Sequence, residues 1–291
     1  MRSDKAIKNA FRRLQLPMSD DPKNIAAALV TAIPPDINRA WAELENDNDA
    51  RIQFAYSNPT YAHLLTCGIT LPTFREELEW ILARFDECPP GGIVDIGAGA
   101  GVAAAIVGLA TKRNVIACDP AWGAASSIAH VSDLVGAPVR GIEATAATLP
   151  DIEFAAVAIA QSILADTGFG VENGQEGQDE ERRSLVSALS KVGDALVIEH
   201  ATNMQNASDG SATWTSFAAA MSESGMYPIW ESASFVSGYN VLIPDVPAHE
   251  RPLYARPKLC LRFSLSGDPH NVTTRLNELL AEHPIGAAWD Y

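Results

Sequence analysis

The fold is decided by residues 94–101, which read Val-Asp-Ile-Gly-Ala-Gly-Ala-Gly. This stretch joins a short apolar run, which predicts a β-strand, to an Ala-rich segment, which predicts a helix. Glycines at alternate positions permit unusual backbone angles and let a ligand lie against bare backbone. The free N–H groups at the start of the following helix would face the same ligand. The stretch therefore predicts a ligand-binding turn between a first strand and its helix.

Short apolar runs alternate with helical segments after this turn. The predicted strands are 93–96, 114–118, 139–142, 154–160 and 195–199, and the predicted helices between them are 102–110, 124–134 and 179–191. A helix near 211–224, strands at 228–237 and 258–266 and a terminal helix at 270–282 follow. The alternation is typical of parallel strands joined by helical crossovers. We therefore predict a doubly wound, mostly parallel seven-stranded α/β sheet, with a hairpin-like end and a long insert at 238–257.

The first 88 residues have a different character, because they read as helices broken by Pro and Asn/Asp turns. Helices are predicted at about 21–32 and 36–45, and a third over 74–85, where large apolar side chains repeat at helical spacing. Two prolines and two glycines then separate this region from the first strand. We predict an N-terminal helical cap region, residues 1–88, and an α/β domain, residues 89–291.

The glycine turn is compatible with two kinds of ligand that contain a nucleoside. A dinucleotide fingerprint, G-x-G-x-x-G/A, requires a small residue where Val102 stands, and it does not include an acid at Asp95. An acid there suits a cationic ligand instead. The arrangement resembles motif I of the class I S-adenosylmethionine-dependent methyltransferases, [D/E]-x-G-x-G-x-G, and matches it at every fixed position. The resemblance covers roughly residues 85–265 and implies a Rossmann-like fold with S-adenosylmethionine as the cofactor.

The resemblance also implies how the cofactor is bound. In that family the acid, here Asp95, lies near the methionine end of the ligand, and the loop of Gly97, Ala98, Gly99 and Gly101 accommodates its backbone-facing side. The second predicted strand ends in Asp119. A carboxylate there can accept both ribose hydroxyls, and family members place an acid at this point. The same acid would serve NAD, so it indicates a nucleoside without choosing the ligand.

The adenine end is less well defined by the sequence. Trp122, which follows Asp119 and Pro120, either covers the adenine ring or packs in the protein. After the third strand, Glu143 stands two positions before the place where the family has its acid, and Thr145 occupies that place, with Ala144 between them. Which of the two contacts adenine stays open. Gln161, after the fourth strand, is predicted to face the ligand.

Methyl transfer needs a base only if the acceptor carries a proton that must leave. The candidates are His200 and Asp166, both predicted near the carboxyl ends of strands; His200 also fits a rim histidine that faces water. Tyr56, Tyr61 and His63 are predicted to close the substrate pocket from the N-terminal region. The Gly-rich segment 168–177 is either a lid or a plain surface loop.

Composition narrows the class of partner. The net charge is −15, with 36 acidic and 21 basic residues, which disfavours nucleic acid because phosphate backbones are bound by basic faces. A small-molecule substrate is preferred. The four cysteines are far apart and form no CxxC pair, so no metal site is expected and reduced, mostly buried thiols are.

The sequence predicts neither a membrane span nor a secretory signal. No uncharged apolar run approaches the roughly 18 residues of a membrane helix, and no apolar block follows the basic residues at the start. A cytoplasmic location is therefore expected. The predicted function is methyl transfer to a small or medium-sized acceptor. The alternatives are a catalytically inactive protein that binds S-adenosylmethionine and acts through interactions, and an NAD(P)-dependent oxidoreductase, which Val102 and Asp95 disfavour.

Overall fold

A computed structural model describes residues 2–44, 48–67, 71–150, 155–164, 167–169, 178–201, 211–236 and 257–281. The helices within them are α1 Arg2–Arg13, α2 Pro22–Ala32, α3 Pro35–Glu43, α4 Asn48–Ser57, α5 Ala62–Cys67, α6 Leu71–Arg84, α7 Val102–Thr111, α8 Ala124–Val135, α9 Gln178–Ser190, α10 Ser211–Glu223 and α11 Val272–Ala281. The strands are β1 Gly92–Ile96, β2 Val115–Asp119, β3 Val139–Glu143, β4 Ala155–Gln161, β5 Asp194–His200, β6 Tyr227–Val236 and β7 Lys258–Ser264.

The seven strands form one sheet in the order β3-β2-β1-β4-β5-β7-β6. β4 pairs in parallel with β1 and β5, and β2 pairs in parallel with β3, whereas β7 runs antiparallel to β5 and β6. Strands β1, β2, β4 and β5 are almost wholly buried, as expected for strands covered on both faces. The predicted mostly parallel seven-stranded α/β sheet is confirmed, including its antiparallel end.

The chain divides into two compact units. The first contains the helices α1–α5, most of α6, and residues 98–144, and the second contains residues 84–97 and the described residues after 144. The N-terminal helices thus share a unit with β2, β3, α7 and α8. The predicted division into residues 1–88 and 89–291, and the role of the first region as a cap, stay predictions.

Local signals explain most helix ends in the first unit. The Asp21 carboxylate accepts a hydrogen bond from the Lys23 N–H at 2.9 Å, and Pro22 follows it as the first residue of α2. Helix α8 ends at Gly136, which is in the left-handed conformation. Arg13, at the end of α1, donates to the Val135 carbonyl oxygen at 2.6 Å. This contact joins the ends of α1 and α8, which pack together.

Aromatic packing and a buried ion pair characterise the second unit. Phe217 of α10 makes edge-to-face contacts with Phe169, Trp214 and Phe263, with ring centroids 5.3, 6.3 and 5.4 Å apart. Arg262 of β7 pairs with Asp194 of β5 at 2.9 Å, and the two side chains are only 11% and 2% exposed.

Cys88, Cys118 and Cys260 are buried and belong to no disulfide in the described part of the chain, and their burial agrees with the sequence expectation for these three. Across the described part of the chain, no helix is long and apolar enough to cross a membrane. Within the same ranges, no group of three or more His, Cys, Asp or Glu side chains is arranged to hold a metal ion.

Candidate cofactor and acceptor site

The glycine loop has the backbone that its sequence predicts. Gly97, Gly99 and Gly101 have φ angles of +72°, +56° and +80°, a region that side chains other than glycine seldom adopt. Gly101 begins α7, and a Cβ atom on it would lie 2.8 Å from Cγ1 of Ile128. At Gly99 a Cβ atom would meet nothing closer than the Tyr56 hydroxyl at 3.5 Å. Gly101 is therefore needed for packing, whereas a Cβ atom on Gly99 would make only an ordinary contact with the Tyr56 hydroxyl.

Asp119 holds this loop from the end of β2. Its Oδ2 accepts a hydrogen bond from the Gly99 N–H and its Oδ1 accepts one from the Ala121 N–H, both at 3.0 Å. Burial raises the pKa of the Asp119 carboxyl above its ordinary value, and the hydrogen bonds from Ala121 and Gly99 partly oppose the rise. Each oxygen can accept a further hydrogen bond, so the carboxylate can bind a ligand without releasing the loop.

The last residue of β3 and the residue that follows it hold the loop between β2 and α8. Glu143 accepts a hydrogen bond from the Gly123 N–H at 2.8 Å, and the Ala144 N–H donates to the Asp119 carbonyl oxygen at 3.1 Å. Thr145 is used in a local turn, where its hydroxyl accepts from the Ala147 N–H at 3.2 Å. Glu143 and Thr145 thus each have a partner in the protein, and which of them contacts adenine is still open.

Two exposed residues lie between these anchored positions. Pro120 is exposed, and the Trp122 side chain is 74% exposed although it lies only three residues after Asp119. Single exposed apolar side chains are normal on a protein surface, so this exposure does not by itself indicate a ligand. The sequence allowed Trp122 either to cover adenine or to pack inside the protein. The second interpretation is wrong, because the Trp122 ring is largely in solvent. The interpretation as a cover for adenine stays a prediction.

Tyr56 brings an N-terminal helix to the glycine loop. It is 6% exposed at the end of α4 and packs with Ala62, Ala100 and Ala124. Its main-chain oxygen lies so close to Gly123 that a Cβ atom there would approach it to 2.5 Å. Tyr56 thus lies against the glycine loop, and its predicted part in closing the substrate pocket stays a prediction. Tyr61 is half-buried, and its N–H donates to the Asn58 carbonyl oxygen at 2.8 Å.

His63, also predicted to face substrate, is a core residue of the first unit. It is 3% exposed, and its Nε2 lies 3.0 Å from the Leu14 carbonyl oxygen just beyond α1. Its ring centroid is 6.1 Å from that of His130 on α8. Burial lowers the pKa of His63 from 6.5 to about 4, so the ring is neutral at pH 7. The ring thus links α5 to the residue that follows α1 through a hydrogen bond made inside the protein.

The second unit contains the other predicted site residues. Asp95, on β1, is buried at 1% exposure. A Cβ atom on Gly97 would collide with Ile163, at 2.2 Å from its Cγ2. Gln161 ends β4 and His200 ends β5, and both are half-buried. Asp166 lies outside the described residues, as do most of the segment 168–177 and most of the insert 238–257.

Two residues at this edge of the sheet, one at the carboxyl end of β5 and one at the start of the antiparallel β7, were missed from the sequence. Glu199 is 2% exposed, and its carboxylate accepts hydrogen bonds from the Leu164 and His200 N–H groups, both at 2.7 Å. Lys258 is 7% exposed, and its Nζ donates to the Ser162 hydroxyl at 2.8 Å. In the sequence, each is a single charged residue in a mostly apolar strand, which is only a weak indication of a special role. The contacts in the folded protein are what single these two residues out.

The strand order and the positive-φ glycine loop between β1 and α7 together define a doubly wound, Rossmann-like α/β protein, the architecture that the sequence resemblance implied. No family model matches the sequence, and no curated protein is significantly similar to it. Solved structures do match. The N-methyltransferase NodS from Bradyrhizobium japonicum, in complex with S-adenosyl-L-homocysteine, is 13% identical with a TM-score of 0.46, and the match covers 66% of this chain and 87% of that one.

Two further solved structures match this chain with similar identity, TM-score and coverage. A geranyl diphosphate methyltransferase, in complex with GPP and sinefungin, is 11% identical with a TM-score of 0.45, over 64% of this chain and 77% of that one. The [4+2]-cyclase SpnF is 13% identical with a TM-score of 0.46, over 66% of this chain and 82% of that one.

Proposed function

We propose that this protein binds S-adenosylmethionine and transfers its methyl group to a small or medium-sized acceptor. The observation that supports this most is the contact between Asp119 and Gly99. It holds a carboxylate beside loosely packed backbone, because a Cβ atom on Gly99 would only touch the Tyr56 hydroxyl, at 3.5 Å. A nucleoside fits this arrangement, with its ribose hydroxyls donating to Asp119 and its flat face against the bare backbone.

The residues around Asp119 have separate tasks in this proposal. Glu143 holds the Gly123 N–H and so fixes the loop that bears Trp122, whose exposed ring covers the adenine. Asp95 keeps the role that the motif implies, near the ammonium group of the methionine portion. When bound, the cofactor supplies a methyl group activated by its sulfonium. The protein then contributes mainly orientation of the acceptor and exclusion of water.

Calorimetric titration with S-adenosylhomocysteine and with NAD tests the proposal. We expect binding of S-adenosylhomocysteine and none of NAD. An Asp119→Ala variant is expected to bind S-adenosylhomocysteine at least about 100-fold more weakly, because two hydrogen bonds to a charged acceptor are lost and each is worth about 1.5–3 kcal/mol.

The matched control is Asp133→Ala, which removes an exposed carboxylate from α8 in the same unit. It is expected to bind like the wild type, and thermal melts should show that all three proteins are folded. Tight binding of NAD would favour the oxidoreductase alternative. Equal affinity of Asp119→Ala and wild type for S-adenosylhomocysteine would mean that the nucleoside is bound elsewhere.

A further inference from the structure

Lys258 is an unusual residue for its position. It is the first residue of β7 and is 7% exposed, although lysine is seldom buried without a specific partner. Its Nζ reaches the hydroxyl of Ser162, the residue that follows β4, at 2.8 Å. Since β5 lies between β4 and β7, the lysine side chain crosses β5 to make this contact. The ammonium group is thereby held at the carboxyl ends of β4 and β5, where α/β sheets bind their ligands.

The register of the strands places two predicted site residues on the same face as Lys258. Lys258 is directly opposite His200 in the antiparallel pair of β7 and β5, so their Cβ atoms point to the same face, roughly 5 Å apart. Gln161 pairs with Ile198, two residues before His200, and residues two apart in a strand share a face. Gln161, His200 and Lys258 therefore form one polar group on this face, all within the second unit.

The contact partner of Lys258 has a strained backbone. Ser162 has a φ of +55°, a left-handed conformation in a residue that is not glycine. Its N–H donates to the Ile198 carbonyl oxygen at 2.7 Å, and the segment after it is held by Glu199 through the Leu164 N–H. Strain of this kind is retained where the surroundings impose it, and it concentrates at functional sites. Here it turns the Ser162 hydroxyl toward Lys258.

We propose that Lys258 is a catalytic residue that binds the acceptor atom and selects oxygen acceptors, namely phenols, other acidic hydroxyls and carboxylates. This inference rests on the proposed methyl transfer. A fixed positive charge stabilises an acceptor oxygen as its anion and so raises the fraction that can attack. The same charge opposes an amine acceptor, because its nitrogen becomes positive as the methyl group arrives.

The step balances without any further reagent. If the acceptor is a hydroxyl, its proton passes to the His200 imidazole, and a carboxylate arrives without one. The acceptor oxygen forms a bond to the methyl carbon while the carbon–sulfur bond breaks, and that electron pair stays on sulfur. The products are the O-methyl compound and S-adenosylhomocysteine. In this arrangement Ser162 is a positioning residue, since it acts through the ammonium group of Lys258.

The test uses acceptors matched by frame: a phenol, a carboxylic acid and a primary amine on each of the benzene, naphthalene and indole rings. Transfer of a deuterated methyl group from labelled S-adenosylmethionine is followed by mass spectrometry. The wild type is expected to methylate oxygen acceptors in preference to the amines. Lys258→Met is expected to lower kcat/KM for the oxygen acceptors about 100-fold. This lies within the 10²–10³ range found when one charge-stabilising donor is removed from an active site. It should bind S-adenosylhomocysteine like the wild type.

Lys191→Met is the matched control. It removes an exposed lysine that precedes the first residue of β5, whereas His200 is the last residue of that strand. This variant should leave the rates unchanged. A protein that binds S-adenosylhomocysteine but methylates only the amines, or none of the oxygen acceptors, overturns the proposal. So does Lys258→Met with wild-type kcat/KM. Failure to bind S-adenosylhomocysteine would count against the proposed function itself, and the two failures are therefore distinguishable.

Two further variants separate catalysis from folding. Lys258→Arg keeps the charge and should retain about a tenth of the activity together with the preference for oxygen, because its geometry differs from that of lysine. Ser162→Ala keeps Lys258 but removes the hydroxyl that orients it, and should raise KM several-fold. If Lys258 only stabilises the fold, these variants will lower the melting temperature without changing the ratio of oxygen to nitrogen methylation, and the proposal is wrong.

Discussion

Asp194→Ala is expected to lower the free energy of unfolding by about 3–5 kcal/mol, the range found when one partner of a buried ion pair is removed. Asp194 is 2% exposed and lies 2.9 Å from Arg262, which is itself 11% exposed. Without the carboxylate, the guanidinium group stays buried with less compensation. Urea denaturation followed by circular dichroism measures the change, with the slope of the transition checked for two-state behaviour.

Glu87 provides the control, because it contacts the same guanidinium group at 3.1 Å but is 44% exposed. Glu87→Ala should cost less than about 1 kcal/mol, as exposed ion pairs do. The double variant Asp194→Ala, Arg262→Met removes both buried charges and should recover part of the loss. Equal effects of Asp194→Ala and Glu87→Ala would show that burial does not set the strength of this pair.

Acidification is expected to remove about 2.5 kcal/mol of stability through His63 alone by pH 4.5. The pKa of His63 is about 4 in the folded protein against 6.5 for an ordinary histidine, because burial disfavours its charged form. A lowered folded pKa means that the unfolded chain binds the proton more strongly. The contribution of His63 is therefore complete above pH 6.5 and is lost as the pH falls from 6.5 toward 4.

His63→Gln isolates this effect, since the glutamine amide can still donate to the Leu14 carbonyl oxygen but does not titrate. Its unfolding free energy should fall less between pH 7 and pH 4.5 than that of the wild type. His130→Gln removes the neighbouring ring, which only adds to the lowering of the His63 pKa, and should change the pH dependence little. If His63→Gln loses stability with acid as steeply as the wild type, the linkage to His63 is wrong.

The order of strands and helices could be predicted because its signals are local. Residues 93–96 predicted β1 to within one residue of its observed bounds, Gly92–Ile96, and the acid that ends β2 stands where the pattern placed it. The apolar run, the glycine turn and the Ala-rich helix follow one another within a few residues, so each can be read from its own short stretch of sequence. The same locality made the glycine loop predictable, since the angles it needs are available to glycine and to little else.

The roles of Tyr56, His63 and Trp122 could not be predicted in the same way. Each was assigned from its position in the chain, and the structure distinguishes them by burial: Tyr56 and His63 lie in the core, at 6% and 3% exposure, while Trp122 is 74% exposed. A side chain in a broken helical region can face either way with the same sequence neighbours. Only the packing of α4 and α5 on the rest of the unit decides which way it faces.

The sequence by itself determined the class of the fold, the conformation of the glycine loop and the place of Asp119, because periodicity and the φ preferences of glycine act over a few residues. The tertiary structure decided that Lys258 meets Ser162, 96 residues away, and that Glu199 holds the backbone of Leu164, 35 residues away. Such contacts depend on the order of strands in the sheet and on the direction of each side chain, and no local pattern records either. For this reason a buried lysine that looks like an ordinary strand residue in the sequence emerges, in the folded protein, as the charge proposed to select the acceptor.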